Sequence, residues 1–247
     1  MAFGLLTLAT LLAPLNYVLL QAGPTDNLLG ENVKIKNIKN NEFKTGALYS
    51  TSVFVTSPNL KPLGIEVLLA WLDGDRAVLP RDAIYEKNKS AQAERALQKQ
   101  EMLDSQGVAA IAALNFINKI DTYPKPTWDA SDVSIDLKKV GGGSGGLAFA
   151  LALIAKSADP QLIAGRKIAA TGTISQNGNV GEIGGIDQKI LGAKKRGVEI
   201  FLMPKANCPA LTKHPTGMQV YAVENLTAAV HVLAGAASAS SFTCPAK

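Results

Sequence analysis

Two short glycine-rich segments carry the side chains with the most distinctive chemistry in this chain. The first, Gly141–Gly146, presents Ser144 among glycines directly before an apolar run. The second, Gly184–Lys189, presents Lys189 just inside another predicted helix. A serine hydroxyl becomes a nucleophile when a neighbouring base takes its proton, and a lysine amine with a lowered pKa can be that base. The pair therefore predicts nucleophilic catalysis, provided that the fold brings the two side chains together.

The loop around Ser144 has the features of an oxyanion site. Its glycines let a substrate approach the backbone closely and leave amide N–H groups uncovered. A helix predicted over residues 145–156 follows at once, and its first N–H groups are unpaired and carry the positive end of the helix dipole. The amides around Gly143 and Gly145 are the candidate donors. Taken alone, the segment also fits a flexible linker or an anion-binding loop, although it lacks the Lys-Ser/Thr ending of a phosphate-binding loop.

Lys189 falls near the start of a helix predicted over residues 186–196. It lies beside an apolar face formed by Ile186 and Ile190, which are spaced four residues apart. Desolvation and the helix dipole both disfavour an ammonium group at such a position, so both are expected to lower the pKa of the lysine. For a lysine taken alone, a solvated surface charge is the alternative, because lysine is rarely buried. The combination with Ser144 favours the base.

Composition limits the class of protein. The chain has 247 residues, of which 47% are hydrophobic and 18% charged, and a formal net charge of +5. This composition predicts one sizeable globular domain and excludes a disordered chain. The basic residues are scattered and not interleaved with aromatic residues, so we expect no nucleic-acid partner.

Cysteine and histidine are scarce, which bears on metal sites and on disulfides. The chain contains two histidines, His214 and His231, and two cysteines, Cys208 and Cys244. No pair is spaced like a zinc site, so we expect neither a metal nor a cofactor. The two cysteines form a disulfide if the domain is exported and remain free thiols if it is cytosolic.

The amino terminus predicts a membrane segment. Residues 2–21 contain no charged side chain and are mostly Leu, Ala, Val or Phe, and about twenty apolar residues are enough to cross a bilayer. Residues 1–22 are therefore interpreted as a transmembrane helix or signal anchor, with a buried core helix as the alternative. Lysines follow this run and none precedes it, which by the positive-inside rule would leave the rest of the chain in the cytoplasm.

The rest of the chain mixes strands and helices irregularly, which predicts an α+β fold with a mixed sheet. Residues 23–46 are interpreted as a polar connector, residues 47–235 as the domain with an insertion over 56–92, and residues 236–247 as a flexible tail. Strands are predicted over 47–55, 133–137, 168–174, 180–183, 200–203 and 219–222, and helices over 62–72, 90–120, 145–156, 186–196 and 226–234.

At these residues the sequence resembles the Lon-type serine peptidases. Their proteolytic domain carries its serine in G-P-S-A-G and its lysine in G-G-(I/L)-x-x-K, and the segments that match are Gly142–Gly146 and Gly184–Lys189. Residues 169–174 (AATGTI) are similar to the family's A-x-T-G-x-I strand, and residues 197–204 (GVEIFLMP) to the strand after the lysine helix. The resemblance covers about residues 47–234, and the ordered set of motifs is more specific than any one of them.

The resemblance implies the Lon proteolytic fold and an endopeptidase that acts on unfolded or flexible polypeptides. It assigns Ser144 as the nucleophile, Lys189 as the base and Thr171 as the residue that orients the lysine amine. The amides around Gly143 and Gly145 would stabilise the oxyanion. Because members of the family form rings, a homo-oligomer is also implied.

Within the family, the chain is most similar to the membrane-anchored branch without an ATPase. The apolar start, residues 68–72 (LLAWL) and residues 201–204 (FLMP) carry this similarity. It implies activity without ATP and an extracytoplasmic domain, an implication that we rank above the lysine distribution. The PDZ domain usual in that branch has no counterpart, because only about residues 121–132 lie where it would be inserted.

The serine loop departs from the family pattern. Gly143 replaces the proline before the serine, Gly145 replaces the alanine after it, and Gly141 stands where some relatives have an acidic residue. Glycine holds a loop less firmly than these residues do. The alternative function is therefore a catalytically weak or inactive scaffold that kept the fold, and a nucleic-acid-binding domain is a third hypothesis.

Overall fold

Ten strands and five longer helices make up the computed structural model, which describes residues 9–38, 43–86, 89–137, 140–235 and 242–244. The strands are β1 (Tyr17–Asn27), β2 (Val33–Ile35), β3 (Ala47–Val55), β4 (Ala77–Pro80), β5 (Val133–Ile135), β6 (Lys167–Ala170), β7 (Thr173–Ile174), β8 (Val180–Gly181), β9 (Ile200–Pro204) and β10 (Gln219–Val223). The helices are α1 (Gly64–Asp73), α2 (Ala91–Lys119), α3 (Gly146–Ser157), α4 (Ile186–Lys195) and α5 (Leu226–Leu233).

A six-stranded mixed sheet forms the centre of the fold, in the order β10-β9-β6-β3-β1-β4. Strands β3, β6, β9 and β10 pair in parallel, whereas β1 runs antiparallel to both of its neighbours, β3 and β4. Two small antiparallel pairs, β2 with β5 and β7 with β8, lie outside this sheet. The predicted α+β class with a mixed sheet is confirmed.

Both faces of the central strands are covered, because successive side chains of a strand point to opposite faces. In β6, Ile168 and Ala170 belong to the larger core cluster, which includes α3, while Ala169 belongs to the cluster of α4. In β9, Leu202 and Phe201 divide between the clusters in the same way. The serine loop precedes α3 and the lysine lies on α4, so the sheet separates the two helices that must supply the dyad.

Helix α3 runs through the core. Every residue from Gly146 to Lys156 is buried, which is why this segment is apolar around its whole circumference. It packs against α2, whose alanines Ala109, Ala110 and Ala113 have no solvent exposure. Since the helix is fixed along its length, its amino terminus is a firm support for the loop that carries Ser144.

The transmembrane or signal-anchor segment predicted over residues 1–22 is wrong from Tyr17 onward, where a strand begins. Residues 17–22 begin β1, an 11-residue strand paired with β3 on one side and with β4 on the other. An apolar run does not distinguish a buried strand from a helix, and this strand buries Val18 and Leu20 completely or nearly so. No helix in the described ranges is long and apolar enough to cross a membrane. Residues 1–8 lie outside these ranges.

The domain outline from the sequence differs from the sheet in two further places. The predicted connector, residues 23–46, includes the end of β1 and all of β2, and the latter pairs with β5. The predicted insertion, residues 56–92, includes β4, which forms an edge strand of the central sheet. Of the predicted flexible tail, residues 236–241 and 245–247 lie outside the described residues.

The predicted strand over residues 168–174 is broken in the structure. Strand β6 ends at Ala170 and β7 begins at Thr173, so Thr171 and Gly172 lie between them. The break frees both residues to bond the serine loop, because the amide of Gly172 and the hydroxyl of Thr171 donate to the carbonyl oxygen of Ser144 at 2.8 and 3.1 Å. Strands β7 and β8, which fall within the strands predicted over 168–174 and 180–183, pair with each other in antiparallel orientation.

Candidate active site

The two side chains singled out in the sequence meet in the structure. Lys189 Nζ lies 2.7 Å from Ser144 Oγ, which is the distance of a direct hydrogen bond. The same amine nitrogen lies 3.1 Å from Thr171 Oγ1, so the predicted orienting residue also belongs to the cluster. The structure therefore brings together all three side chains that the resemblance assigns to catalysis, and their roles remain predictions.

The serine loop is held by helix α2 on one side. The amide of Gly142 donates to the carbonyl oxygen of Gln98 at 2.8 Å, and the hydroxyl of Ser105 donates to the carbonyl oxygen of Gly143 at 3.0 Å. On the other side the loop accepts the two bonds from Thr171 and Gly172. These bonds fix the backbone of Ser144 between a helix and the break after β6, although its neighbours are glycines.

Gly145 is tied to one particular aromatic residue. A Cβ atom at this position would lie 2.5 Å from the ring of Phe149, which follows one turn later in α3 and has no solvent exposure. The space that a methyl group at position 145 would need is therefore filled by the Phe149 ring. The exchange of the family's alanine for glycine is thus accompanied by a bulky neighbour, and the loop is packed rather than empty at this point.

Helix α4 places Lys189 through a turn that only glycine tolerates. Gly185 precedes the helix with φ of +67°, in the left-handed region, and a Cβ atom there would lie 2.9 Å from Val53 of β3. The segment before it is clamped by Asn207, whose amide group exchanges two hydrogen bonds with the backbone of Ile183, at 3.0 and 2.8 Å. Sequence reasoning gave Asn207 no role, because its partners are backbone atoms 24 residues away.

A second anchor of α4 is the carboxylate of Asp187. It accepts hydrogen bonds from the amides of Thr212 and Lys213, at 2.9 and 3.0 Å, and from the hydroxyl of Thr212. The first turn of the helix is thereby tied to the segment that follows the 3-10 turn Lys205–Ala210. The start of the helix that carries Lys189 is thus held by Asn207 within that turn and by Thr212 and Lys213 after it.

The environment of Lys189 favours its neutral form. The side chain is 2% exposed, and burial lowers the pKa of the amine from its usual 10.5 to about 7, with no opposing contribution from a carboxylate. The cause is desolvation, one of the two effects expected from the sequence. Near neutral pH, a substantial fraction of the molecules therefore holds an amine with a free lone pair beside the serine hydroxyl.

The hydrogen bonds of the amine orient that lone pair. Besides Thr171 Oγ1, the amine has the carbonyl oxygen of Thr51 at 3.1 Å. A neutral amine has two N–H bonds and one lone pair, so these two oxygens can accept the N–H bonds while the lone pair accepts the proton of Ser144. Thr51 was missed in the sequence, since a backbone carbonyl carries no side-chain signature.

Amides without a hydrogen-bond partner lie beside the serine. In the described part of the chain, the N–H groups of Gly143, Ser144 and Gly145 make no hydrogen bond, and the first turn of α3 begins at Gly146. Donors of this kind at a helix amino terminus can stabilise a negative oxygen that forms next to the serine. The predicted oxyanion site is therefore available in the geometry.

The dyad opens onto a cleft of about 490 Å³. One wall is the stretch of β3 from Ser52 to Val55, and the other is the first turns of α2 together with the serine loop. Beyond Ser50, where the pairing with β6 ends, that side of β3 has no strand partner within the described ranges. The cleft therefore offers an open strand edge next to a potential nucleophile.

The open question about the cysteines is answered by a disulfide between Cys208 and Cys244. It joins residues 242–244 to the 3-10 turn Lys205–Ala210, which also contains the clamping Asn207. The carboxyl-terminal segment is thus linked covalently to the region that supports α4.

Comparison with known families identifies the class of domain. The family model described as the Lon protease (S16) C-terminal proteolytic domain matches residues 90–235, which include the serine loop, the Thr171 segment and the lysine helix. This match covers more than half of the chain.

Individual relatives agree with the family match. The chain is 36% identical over 96 residues to Lon protease 1 of Borreliella burgdorferi, 42% over 74 residues to the Lon protease of Roseiflexus castenholzii, and 34% over 114 residues to Lon protease 2 of Thermus thermophilus. These matches cover 37%, 30% and 43% of this chain. They cover only 12%, 9% and 14% of the relatives, so the chain spans a small part of the proteins that it resembles.

Proposed function

The chain belongs to the Lon protease (S16) family, and from the geometry of its site we propose that it is a serine endopeptidase that works without ATP on unfolded or flexible polypeptides. The observation that carries the proposal is the 2.7 Å separation of Lys189 Nζ and Ser144 Oγ, at an amine with a pKa of about 7. A serine that contacts a base and lies next to unpaired amide N–H groups supports acyl transfer.

In the proposed mechanism, Ser144 Oγ attacks the scissile carbonyl carbon while its proton passes to Lys189 Nζ. The carbonyl oxygen becomes an oxyanion that is stabilised by the amides around Gly143 and Gly145. Lys189 then returns the proton to the leaving amine, and the acyl-enzyme remains on Ser144. A water molecule, deprotonated by the same lysine, releases the acid product and restores the serine.

Thr171 is proposed to hold the amine of Lys189 in position throughout this cycle. Its hydroxyl donates to the carbonyl oxygen of Ser144 and faces the amine of Lys189, at 3.1 Å in each case. One side chain thus connects the backbone of the nucleophile to the base. A hydroxyl fixed in this way would orient the lone pair of Lys189 Nζ toward the hydroxyl of Ser144.

A polypeptide substrate fits the open edge of β3. An extended peptide beside Ser52–Val55 would extend the sheet by one strand and pass the serine, with backbone hydrogen bonds as the main source of affinity. This mode needs an unfolded or flexible chain, since a folded segment cannot present its backbone to a strand edge. The proposed steps consume no nucleotide, so we propose that cleavage of an already unfolded chain proceeds without ATP.

A serine-reactive fluorophosphonate probe and a quenched-fluorescence casein assay test the proposal. We expect labelling and cleavage in the wild type, and loss of both in Ser144→Ala and Lys189→Ala. The value of kcat/KM should rise with pH through about 7 and level off above it, because the neutral amine is the active form. A folded wild type that neither reacts with the probe nor cleaves casein at pH 8–9 would support the scaffold alternative instead.

The scaffold alternative has one observation in its favour. A Cβ atom at Gly143 would meet no atom nearer than 3.9 Å, so the packing does not require glycine where the family has proline. A loop without that constraint is less preorganised, which lowers the rate rather than abolishing the chemistry. The probe experiment separates the two functions, because a scaffold need not keep a reactive serine.

We also propose that the domain works in an oxidising, extracytoplasmic compartment. The disulfide between Cys208 and Cys244 supports this location, since disulfides persist outside the reducing cytosol. Mass spectrometry of the protein from its native source, alkylated under denaturing conditions at lysis, tests it. Two alkylated cysteines per chain would argue for the cytosol.

Homo-oligomer formation is the last part of the proposed function. Helix α1 exposes Trp71, Leu72 and Leu69 to 73%, 66% and 54%, an apolar surface of the kind that marks interaction sites. Sedimentation velocity should show an assembly in the wild type that Trp71→Asp weakens. A wild type that sediments as a monomer at micromolar concentration would contradict it.

A further inference from the structure

One face of helix α2 forms a wall of the active-site cleft. Glu94, Gln98 and Glu101 line the cleft at spacings of four and three residues, which places them on one side of the helix. The open edge of β3, from Ser52 to Val55, lines the same cleft. A peptide bound along that edge would therefore pass two carboxylates.

Glu94 is buried without a partner. Its side chain faces the cleft in a residue that is 6% exposed, and it makes no hydrogen bond or ion pair in the described part of the protein. Its carboxylate oxygens keep solvent contact through the cleft, since they are not among the fully buried side-chain atoms that lack a hydrogen-bond partner. An unpaired carboxylate at such a largely covered position attracts a cation that enters the cleft. The arrangement is that of a site whose counter-charge arrives with a ligand.

In the ranges that the structure describes, neither of the two nearby cations forms an ion pair with Glu94. Lys89 is the lysine whose charge interacts with Glu94, but its Nζ forms its ion pair with Glu86 Oε1 at 2.9 Å. Arg95 also lines the cleft, but it is an exposed residue and forms no ion pair with Glu94. The carboxylate of Glu94 thus remains available inside the cleft.

We propose that Glu94 forms a subsite for a lysine or arginine side chain of the substrate, a proposal that rests on the peptidase function. Glu101, whose Oε2 lies 3.8 Å from where a Cβ of Gly142 would be, adds negative potential beside the serine loop. From Glu101 to Glu94 the helix rises about 10 Å, and an extended peptide advances about 3.3 Å per residue. The preferred basic residue therefore lies about three residues from the scissile bond.

The test compares quenched-fluorescence peptides that differ at a single position, which carries Lys, norleucine or Glu. One such set of three peptides is made for each position around the cleaved bond. In the wild type, kcat/KM for the Lys peptide should exceed that for the norleucine peptide by about tenfold at one such position. Glu94→Gln should bring this ratio close to one, and Glu94→Lys should make the Glu peptide the better substrate. A Lys preference that persists in Glu94→Gln, or none in the wild type, would overturn the subsite.

Asp104→Asn is the matched control. Asp104 is an exposed carboxylate on the same helix that does not line the cleft and accepts a hydrogen bond from Gln100 Nε2 at 2.8 Å. Its loss removes the same charge from the helix, so the Lys-to-norleucine ratio should stay at the wild-type value. A ratio that fell equally in Asp104→Asn would assign the preference to the overall charge of α2 and overturn the subsite.

Binding separates the subsite from the peptidase function. The same peptides, labelled for fluorescence anisotropy, are titrated with the Ser144→Ala chain with and without Glu94→Gln. If no peptide is cleaved by the wild type, the peptidase proposal fails, whereas a Lys preference in Kd that disappears with Glu94→Gln still supports the subsite. Equal Kd values for the Lys and norleucine peptides would overturn the subsite whatever the outcome of the cleavage assay.

Discussion

Two buried lysines lie on the two helices that flank the central sheet, and they differ in what surrounds the amine. Lys156 near the end of α3 and Lys189 in α4 are each 2% exposed. Burial lowers the pKa of both amines, to about 7 for Lys189, while the carboxylate of Glu31 opposes the shift at Lys156. Burial alone therefore does not distinguish a base from a structural group.

The partners make the distinction. Lys156 Nζ donates to the carbonyl oxygens of Gly30 and Val33, at 2.9 and 2.8 Å, and so ties α3 to the segment around β2. Lys189 Nζ faces a carbonyl oxygen too, but also Ser144 Oγ, a hydroxyl at the floor of an open cleft. Carbonyl oxygens cannot supply a proton, whereas a serine hydroxyl can. A catalytic lysine is therefore recognised by a neighbour that carries a transferable proton and is accessible to substrate.

The largest expected effect is on catalysis. Lys189→Met should lower kcat/KM for a peptide substrate by at least about 10³-fold, because it removes the only proposed proton acceptor of Ser144. Lys156→Met, the matched exchange at the other buried lysine, should leave kcat/KM of the folded protein within about twofold. Both are measured with the same quenched peptide and corrected for the folded fraction. Comparable losses in the two variants would break the distinction between the lysines.

The second effect is on the pH dependence of stability. The pKa of Lys189 is lower in the folded chain, about 7, than in the unfolded chain, 10.5, so between these values the unfolded chain binds more protons. The free energy of unfolding should therefore gain about 1.4 kcal/mol per pH unit from this group as pH rises from about 7 to 10.5. Urea denaturation of the wild type and of Lys189→Met across this pH range isolates the contribution of Lys189, since Lys156 contributes equally to the pH dependence of both proteins. Parallel profiles would contradict the lowered pKa.

A smaller effect is expected from the residue that links the base to the nucleophile. Thr171→Val keeps the shape but removes the hydroxyl between Ser144 and Lys189, and should lower kcat by about 10- to 100-fold. The pH limb of kcat/KM should move as well, because the amine loses one of its acceptors. Thr171→Ser restores a hydroxyl and should recover most of the rate. Equal rates for the Val and Ser variants would assign Thr171 to packing alone.

The smallest expected effect is on stability, where Lys156 is expected to act as a structural group. Lys156→Met leaves the carbonyl oxygens of Gly30 and Val33 without this donor, and should lower the free energy of unfolding by about 1–3 kcal/mol. Chemical denaturation at pH 7 measures it, with the exposed exchange Lys99→Met in α2 as control, which should change stability by less than about 0.5 kcal/mol. An unchanged midpoint in Lys156→Met would show that the segment around β2 is held by its other contacts.

Elements with a strong local pattern were predicted closely. Strand β3 has the predicted bounds, 47–55, and helix α2 extends over Ala91–Lys119 against a predicted 90–120. Ser90 caps α2 by accepting the amide of Ala93 at 3.1 Å, so a signal in the sequence itself marks the start. Such elements need only neighbouring residues to define them.

Elements that depend on distant partners were not predicted. Residues 17–22 of β1 fall in the segment predicted as a transmembrane helix or signal anchor, because an apolar run is compatible with either a helix or a strand, and only pairing with β3 and β4 decides for the strand. The break at Thr171 was missed for the same reason, since its cause is the serine loop docked beside it. Secondary structure at these places is a consequence of tertiary contacts.

For the site, local sequence is enough to identify the reactive residue types and the elements that carry them: a serine in a glycine loop before an apolar helix, and a lysine at the start of another helix. The contact between Ser144 and Lys189 and the desolvation of the amine arise only when the chain has folded. The contact of Lys189 with Thr51 spans 138 residues of chain, and a pKa near 7 requires this burial. Desolvation is a property of the assembled surroundings, so no local pattern can encode it.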